Sequence, residues 1–208
     1  MDAGKKILLD LLTGSLRFVV PVYQRRYSWG EAQCRQLWAD IVTAGRHPER
    51  THFTGSVVWM QEGGIGPDGV SRCLLIDGQQ RLTSVTLLLI ALAEYARERP
   101  EKLRFSADML IDRGYLVDKY ATGEGRYKLT LSGDDREVLH SMCDHVVVLI
   151  GRIMPIRVPG WKRTSICSVH WSPQSMMRTW CGTVCSVSKS CLSPWTKVVT
   201  NRNWYSNR

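Results

Sequence analysis

The alternation of apolar and polar positions predicts short strands up to about residue 143. An apolar, β-branched run at 17–20 stops at Pro21 and predicts one strand. Runs at 52–61 and 70–76 flank a glycine-rich turn at 63–69 and predict the two strands of a hairpin. A further strand is predicted at 127–131. The pattern contains no internal repeat.

Helical periodicity separates these strands. Short helices are predicted at 5–12 and 107–113, and another begins near 132–135. Ser28 and Glu31 have capping-box spacing and predict a helix start, followed by a stripe of Leu37, Trp38, Ile41 and Val42. From 79 to 97 apolar residues cover nearly the whole circumference, which predicts a buried central helix. The expected fold class is therefore α/β (mixed α+β), a small mixed sheet with helices.

The composition changes sharply after position 143. Residues 1–143 carry 19 Lys and Arg against 18 Asp and Glu, a net charge of +1, whereas residues 144–208 carry nine against one, a net charge of +8. Five of the seven cysteines and five of the eight tryptophans lie from Cys143 onward. We therefore predict a folded domain at 1–143 and an irregular tail at 144–208.

Three interpretations of this tail are open. A zinc or disulfide module would use Cys181, Cys185 and Cys191 with His170, but the spacing lacks a second ligand pair, so no metal site is predicted. A basic nucleic-acid arm is the second. The favoured interpretation is a change of reading frame near 142–146, because composition and periodicity break together there.

The sequence pattern predicts neither a signal peptide nor a membrane-spanning segment. The first twelve residues do not form a signal peptide, because Asp10 interrupts their apolar stretch. The longest apolar run, Val85–Ala93, is about half of what a membrane span requires. The sequence thus predicts a cytoplasmic protein without a membrane partner.

The segment from Leu74 to Thr83 carries the clearest candidate chemistry. It predicts a strand, a tight turn and a helix start, with Asp77 capping the helix and Gln80 reaching back. Free N–H groups at such a start, together with the helix dipole, favour an anion such as phosphate. Arg81 would add a bidentate phosphate contact. The alternative is that these residues only cap a helix.

A second candidate segment, 20–29, lies between the first strand and the next helix. It contains two adjacent arginines, a glutamine and three aromatic residues, a set that stacks on bases and grips phosphates. Its members are Tyr23, Gln24, Arg25, Arg26, Tyr27 and Trp29. A packed loop with solvated arginines is the alternative.

In their order along the chain these motifs resemble the N-terminal domain of the GmrSD-type, modification-dependent restriction proteins. The resemblance rests on Pro-x-Tyr-Gln-Arg-x-Tyr-x-Trp, His52-Phe53-x-Gly55-Ser56 and Ile-Asp-Gly-Gln-Gln-Arg-Leu-Thr, and it covers about residues 7–142. It implies a fold similar to ParB and sulfiredoxin. It also implies that a nucleoside triphosphate with Mg²⁺ is bound and hydrolysed.

The resemblance also implies residue roles. Catalytic roles fall to Asp77, Gln80 and Arg81, and nucleotide-binding roles to Gly78, Gln79 and Thr83. Supporting or DNA-sensing roles, with modified DNA as partner, fall to Tyr23, Gln24, Arg25, Tyr27 and Trp29.

The family's nuclease half is not recognisable in this chain. His170-Trp-Ser-Pro173 matches a His-x-x-Pro pattern only by accident, because it lies in the anomalous tail. We therefore expect a truncated specificity domain that depends on a separate nuclease domain or subunit. The rival hypotheses are a ParB-like DNA-binding module without turnover and a non-functional fragment.

Four other features have plain structural interpretations. Gly64-x-Gly66-x-x-Gly69 precedes a strand rather than a helix, so it predicts a hairpin turn and not a dinucleotide site. His52 is expected at a strand start, and His140 near a helix C-terminus. A hydroxyl-to-carbonyl bond is the alternative for Thr83.

Overall fold

A computed structural model of the protein describes residues 6–47, 51–64, 69–98 and 106–149, together with Gly4, Glu49 and Pro100. The chain from 150 onward lies outside the described residues, as does the middle of the predicted 63–69 turn. The three interpretations of the tail therefore stay predictions.

Five helices and four strands form the described part of the chain. The helices are α1 (Leu8–Leu12), α2 (Glu31–Arg46), α3 (Gln79–Glu98), α4 (Asp108–Asp112) and α5 (Asp134–Leu149). The strands are β1 (Leu16–Val19), β2 (Val58–Gln61), β3 (Ser71–Asp77) and β4 (Leu129–Thr130). A 3₁₀ turn at Gly123–Arg126 precedes β4. The mixed α/β class is confirmed.

The sheet has the order β2-β3-β1-β4. β1 runs parallel to both β3 and β4, whereas β2 pairs with β3 as the antiparallel arm of the predicted hairpin. The three parallel strands therefore end at one edge of the sheet, marked by Val19, Asp77 and Thr130. We call it the carboxyl edge. In open α/β sheets this edge is where ligands bind.

Helix α3 forms the centre of the core. Its apolar side chains from Leu82 to Leu92 are almost completely buried, as their distribution around the helix predicts. The hydroxyls of Thr83, Ser84 and Thr86 are buried too, and each donates to the carbonyl oxygen four residues earlier, at 2.8–2.9 Å. These local bonds satisfy the hydroxyls, so that three polar residues are accommodated in an apolar core.

Helix α5 continues beyond the predicted domain end at 143. Val146 and Val147 are each only 1% exposed and belong to the main apolar core. Asp144 accepts hydrogen bonds from the Arg126 guanidinium and from the Tyr127 hydroxyl. The change of composition at 143 therefore lies inside a helix whose later turns are packed against the domain.

The start of α2 corrects one prediction. Gly30, not Ser28, is the N-cap, and its N–H donates to the Gln33 side chain at 3.1 Å. The Ser28–Glu31 capping box is therefore wrong. The later helix start has a tertiary cause. The Ser28 N–H donates to the Gln80 side chain, and this contact keeps Ser28 outside the helix.

The strand boundaries correct two more predictions. β2 begins at Val58 rather than at residue 52, because the preceding segment turns at Gly55 and packs against the start of α3. His52 is therefore not at a strand start. β4 has only two residues of the five predicted, since the 3₁₀ turn occupies the chain up to Arg126 and Tyr127 forms an isolated bridge with Val117.

His140 occupies the middle of α5, so its expected place near a helix C-terminus is wrong. Its ring stacks on Tyr127 with centroids 3.6 Å apart, and Nε2 lies 3.4 Å from the Thr130 hydroxyl oxygen. Burial lowers the pKa of His140 to about 4. The neutral imidazole thus joins α5 to β4.

Among the described helices, none has both the length and the apolar character needed to cross a membrane.

Candidate functional site

The segment 21–29, here called the arginine loop, follows the carboxyl end of β1 and lies across the start of α3. Four of its hydrogen bonds to α3 are made through backbone groups of the loop, although the two segments are about fifty residues apart in sequence. The structure therefore brings the two motif segments singled out in the sequence into one site.

The Gln80 side chain makes three hydrogen bonds to the backbone of the arginine loop. Its side-chain oxygen accepts the N–H groups of Ser28 at 2.8 Å and Trp29 at 3.2 Å, and its amide nitrogen donates to the Arg26 carbonyl at 3.2 Å. The side chain is buried, at 7% exposure. Because this one amide satisfies three backbone groups of the arginine loop, it positions the loop against α3, while the catalytic role that the resemblance implies stays a prediction.

Two other glutamines extend the same connection. The Gln79 amide donates to the Arg25 carbonyl at 2.8 Å. Gln24 donates in the opposite direction, from the loop to the Ile76 carbonyl near the end of β3, at 2.8 Å. Gln79 and Gln80 thus bind the loop backbone at positions 25, 26, 28 and 29, while Gln24 connects the loop to β3.

Helix α5 holds the other side of the loop. The Arg26 guanidinium pairs with Asp134 at 3.1 Å, and the Tyr27 N–H donates to the Asp135 carboxylate at 3.3 Å. The Tyr27 hydroxyl lies 2.8 Å from the Ser84 hydroxyl, inside the core. Burial raises the pKa of Tyr27 well above its ordinary value, so the phenol stays protonated and serves as packing beneath the loop.

The start of α3 is built around Gly78. Its φ of +92° is in the left-handed region, and its carbonyl accepts the first helical bond from Leu82 at 3.0 Å. Gly78 is therefore the N-cap, which corrects the expectation that Asp77 caps the helix with Gln80 reaching back. In the described chain, no acceptor takes the backbone N–H groups of Gln79, Gln80 and Arg81.

Arg81 turns away from the arginine loop towards the segment 51–57. Its Nη1 donates to the Ser56 carbonyl at 2.8 Å. Gly55, with φ of +108°, lies against the guanidinium so closely that a Cβ there would collide with it. The backbone conformation therefore favours glycine at position 55, and any side chain there would also displace the Arg81 guanidinium.

Two charged groups near this helix start have no described partner. The Asp77 carboxylate is exposed at the end of β3, and the Arg25 guanidinium is exposed on the arginine loop. No described residue forms an ion pair or side-chain hydrogen bond with either of them. Since neither is used in holding the fold together, both are available to a ligand.

A small cavity opens between the arginine loop and the starts of α3 and α5. Its volume is about 10 Å³, which is room for about one water molecule. Its wall includes Arg25, Arg26, Gln79, Gln80, Thr83 and Asp135. The cavity is therefore too small for a phosphate group, and a ligand would bind over the open surface beside it.

The remaining candidate residues divide into packed and exposed groups. Thr83 is 1% exposed and its hydroxyl donates to Gln79, which is the local bond named as its alternative. Trp29 is partly buried against the core. Tyr23, in contrast, is 74% exposed at the tip of the loop, next to the exposed Val22.

Sequence reasoning gave no role to several residues that build this site. Asp135 and Ser84 anchor the arginine loop, and Ser56 receives Arg81. The His-Phe-x-Gly-Ser motif was a usable signal for the last of these, because its glycine and serine are the two residues that Arg81 contacts. No local pattern marks Ser84 or Asp135.

Parallel strands that end at an open helix start, with unpaired charges beside it, define an α/β domain with a candidate ligand site at its carboxyl edge. The model of the GmrSD restriction endonuclease N-terminal domain family matches residues 8–148, and the chain belongs to this family. It is thus a protein of a restriction system, a class that acts in phage defence. No curated protein matches the chain significantly.

Proposed function

We propose that this domain binds a nucleoside triphosphate with Mg²⁺ at the start of α3 and serves as the specificity domain of a modification-dependent restriction system. The observation that carries the proposal is the set of free N–H groups at Gln79–Arg81, lying between the arginine loop and segment 51–57. Such groups at the positive end of a helix bind phosphate without further adaptation.

The surrounding side chains fit this group. Arg25 and Arg81 provide positive charge on two sides of the helix start, and guanidinium groups bind phosphate in a bidentate manner. The exposed Asp77 carboxylate would repel a phosphate by itself, but it suits a Mg²⁺ ion that also binds the phosphate oxygens. The described residues contain no cluster of three potential metal ligands, so the ion would rely on Asp77 and phosphate.

The proposed roles in hydrolysis follow from which polar groups of each side chain are not used in contacts within the protein. A bound Mg²⁺ ion would neutralise charge that develops on the phosphate oxygens. Arg81 would add positive charge from the first turn of α3, and Asp77 would orient the ion. Gln80 would act indirectly, since its amide holds the arginine loop. The attacking water would lie over the open surface outside the cavity.

The arginine loop supports a second element of the proposal, recognition of modified DNA. Val22 and Tyr23 are exposed at 89% and 74%, with the unpaired Arg25 two residues further on. An exposed aromatic ring and a free guanidinium suit contacts with a base and with a backbone phosphate. Cleavage of that DNA would need a nuclease domain or subunit.

Nucleotide-induced thermal stabilisation tests the site. We expect Mg²⁺ with ATP or GTP to raise the melting temperature of the full chain, and Asp77→Asn and Arg25→Ala to remove most of the rise. Ligand at about 100 times its Kd contributes about 2.7 kcal/mol of stability, a shift of several degrees. Neither side chain has a described partner, so the variants should melt normally without ligand.

Matched controls lie at the opposite edge of the sheet. Glu62→Gln and Arg72→Ala alter an exposed ion pair near the amino end of β3, with 3.7 Å between the charged atoms. Both controls should keep the full nucleotide shift. An equal shift in all four variants and the wild type would refute the site assignment.

DNA binding without turnover is the second candidate function, favoured by the exposed tip of the arginine loop. Filter binding to modified and unmodified duplexes across a salt titration separates the two candidates. Preference for modified duplex without phosphate release from any triphosphate supports the second. Phosphate release that depends on Asp77 supports the first.

A further inference from the structure

We propose that Phe53 is the platform on which the base of the bound nucleotide stacks, so that this residue makes the site selective for nucleoside triphosphates over inorganic polyphosphates. The inference rests on the proposed triphosphate site at the start of α3. It assigns a role to segment 51–57, which lies beside that site and contains none of the predicted catalytic or DNA-sensing residues.

Segment 51–57 is fixed against the start of α3 even though it contains no helix or strand. Arg81 binds Ser56 and packs on Gly55. A Cβ on Gly78 would lie only 3.1 Å from the Ser56 carbonyl oxygen and 3.2 Å from the Val57 Cα, so this backbone also touches the N-cap of α3. The segment therefore forms one wall of the helix start, with the arginine loop forming the other.

The other end of the segment is held by α2. His52 Nε2 lies 3.5 Å from Asp40 Oδ1. Phe53 follows directly, so it lies between two attachment points, one at α2 and one at Arg81. Its Cα is at most about 7.6 Å from that of Gly55, because two peptide units span no more than that.

Phe53 is nevertheless 82% exposed. A phenylalanine contributes to stability mainly by burial, which is worth about 1.5–3 kcal/mol, and this ring obtains almost none of it. No described aromatic ring stacks on it. An exposed ring on a backbone that is anchored on both sides is suited to contact a ligand rather than to support the fold.

A bound nucleotide would extend from the anion site towards this ring. Its base is separated from its phosphates by one ribose, so a phosphate at Arg81 leaves the base at the wall of the site. Bases stack on aromatic rings irrespective of their hydrogen-bonding edges, since each has a flat π face. Phe53 is the exposed aromatic residue of the wall that Arg81 contacts.

The test compares two ligands on the full chain. Equilibrium affinities are measured for Mg²⁺ with a non-hydrolysable ATP or GTP analogue, and for Mg²⁺ with inorganic tripolyphosphate. Phe53→Ala should weaken analogue binding about tenfold, a loss within the range of one base–aromatic stack, and leave tripolyphosphate affinity within about twofold. Phe53→Tyr should retain the wild-type preference, and Phe53→Leu should resemble Phe53→Ala.

Tyr120→Ala is the matched control. Tyr120 is 86% exposed and follows Asp118, which contacts Arg17 near the amino end of β1. This variant should bind both ligands as the wild type does. Melting temperatures of all variants should agree within a few degrees, because both rings are largely exposed.

Each outcome is decisive. Equal loss of both ligands in Phe53→Ala, or loss of neither, overturns the stacking role. If Tyr23→Ala loses the nucleotide preference instead, the base stacks on the arginine loop, and the stacking role of Phe53 is overturned too. A wild-type protein that binds tripolyphosphate as tightly as the nucleotide analogue refutes this inference alone. A wild-type protein that binds neither ligand refutes the triphosphate site itself.

Discussion

A chain that ends at Cys143 should fail to fold stably, whereas a chain that ends at Leu149 should unfold cooperatively. The shorter chain lacks Val146 and Val147, each buried to 99%. Burying a valine side chain is worth about 1.5–3 kcal/mol, so the two together contribute about 3–6 kcal/mol. That is a large part of the total stability of about 5–15 kcal/mol that is typical of a native protein.

The shorter chain also loses Asp144. Its carboxylate accepts from Arg126 and Tyr127, and its removal leaves the largely buried guanidinium of Arg126 without this partner. A charged group left in that position is strongly destabilising. Thermal melts followed by circular dichroism on the two chains check the prediction. Equal midpoints would show that the last turns of α5 do not belong to the domain.

The second large effect is expected from Gln80→Leu. Leucine has a similar size but cannot bond the N–H groups of Ser28 and Trp29 or the Arg26 carbonyl. Each lost bond is worth about 1 kcal/mol, and more where a group is left buried without a partner, so we expect a loss of about 3 kcal/mol. Urea unfolding gives this value, and hydrogen exchange at Ser28 and Trp29 should accelerate.

Two variants accompany this measurement. Gln36→Leu changes an exposed glutamine whose amide bonds Asp40 on the surface of α2, so it should alter stability by less than about 0.5 kcal/mol. Gln80→Glu keeps the acceptor for the two N–H groups but buries a charge and sets a carboxylate oxygen against the Arg26 carbonyl oxygen, so it should also be destabilising at neutral pH. A Gln80→Leu protein with the wild-type urea midpoint would contradict the positioning role.

Local sequence pattern predicted those elements whose causes are local. The predicted bounds of α3 differ by one residue from the observed ones. Apolar residues cover the circumference of the helix, and Gly78 marks the turn that precedes it. The β2–β3 hairpin was recognised from two β-rich runs around glycines. In both cases, neighbours in sequence supply the interactions that define the element.

The errors occurred where distant residues compete with local preference. Ser28 has the sequence of an N-cap, but Gln80 binds its N–H from a position 52 residues later. Residues 52–57 have the composition of a strand, but Arg81 and Gly78 hold them in an irregular path. Contacts of this kind depend on the packing of α3 beside the sheet, which no window of local sequence contains.

The candidate site shows the same division. The sequence singled out both motif segments, and the structure joins them through Gln24, Gln79 and Gln80. Which glutamines bind backbone, and which charged groups remain free, could not be predicted. Gln80 binds the arginine loop, whereas the side chains of Asp77 and Arg25 have no described partner.

Binding of a phosphate group to the free N–H groups at the start of α3 should be visible at those amides. The most direct test records backbone ¹H–¹⁵N chemical shifts of the protein during titration with Mg²⁺ and ATP or GTP. We expect the largest changes at Gly78, Gln79, Gln80 and Arg81, with little change at Glu62 and Arg72 on the opposite edge. Saturable changes that leave residues 78–81 unaffected, or no changes at all, would contradict it.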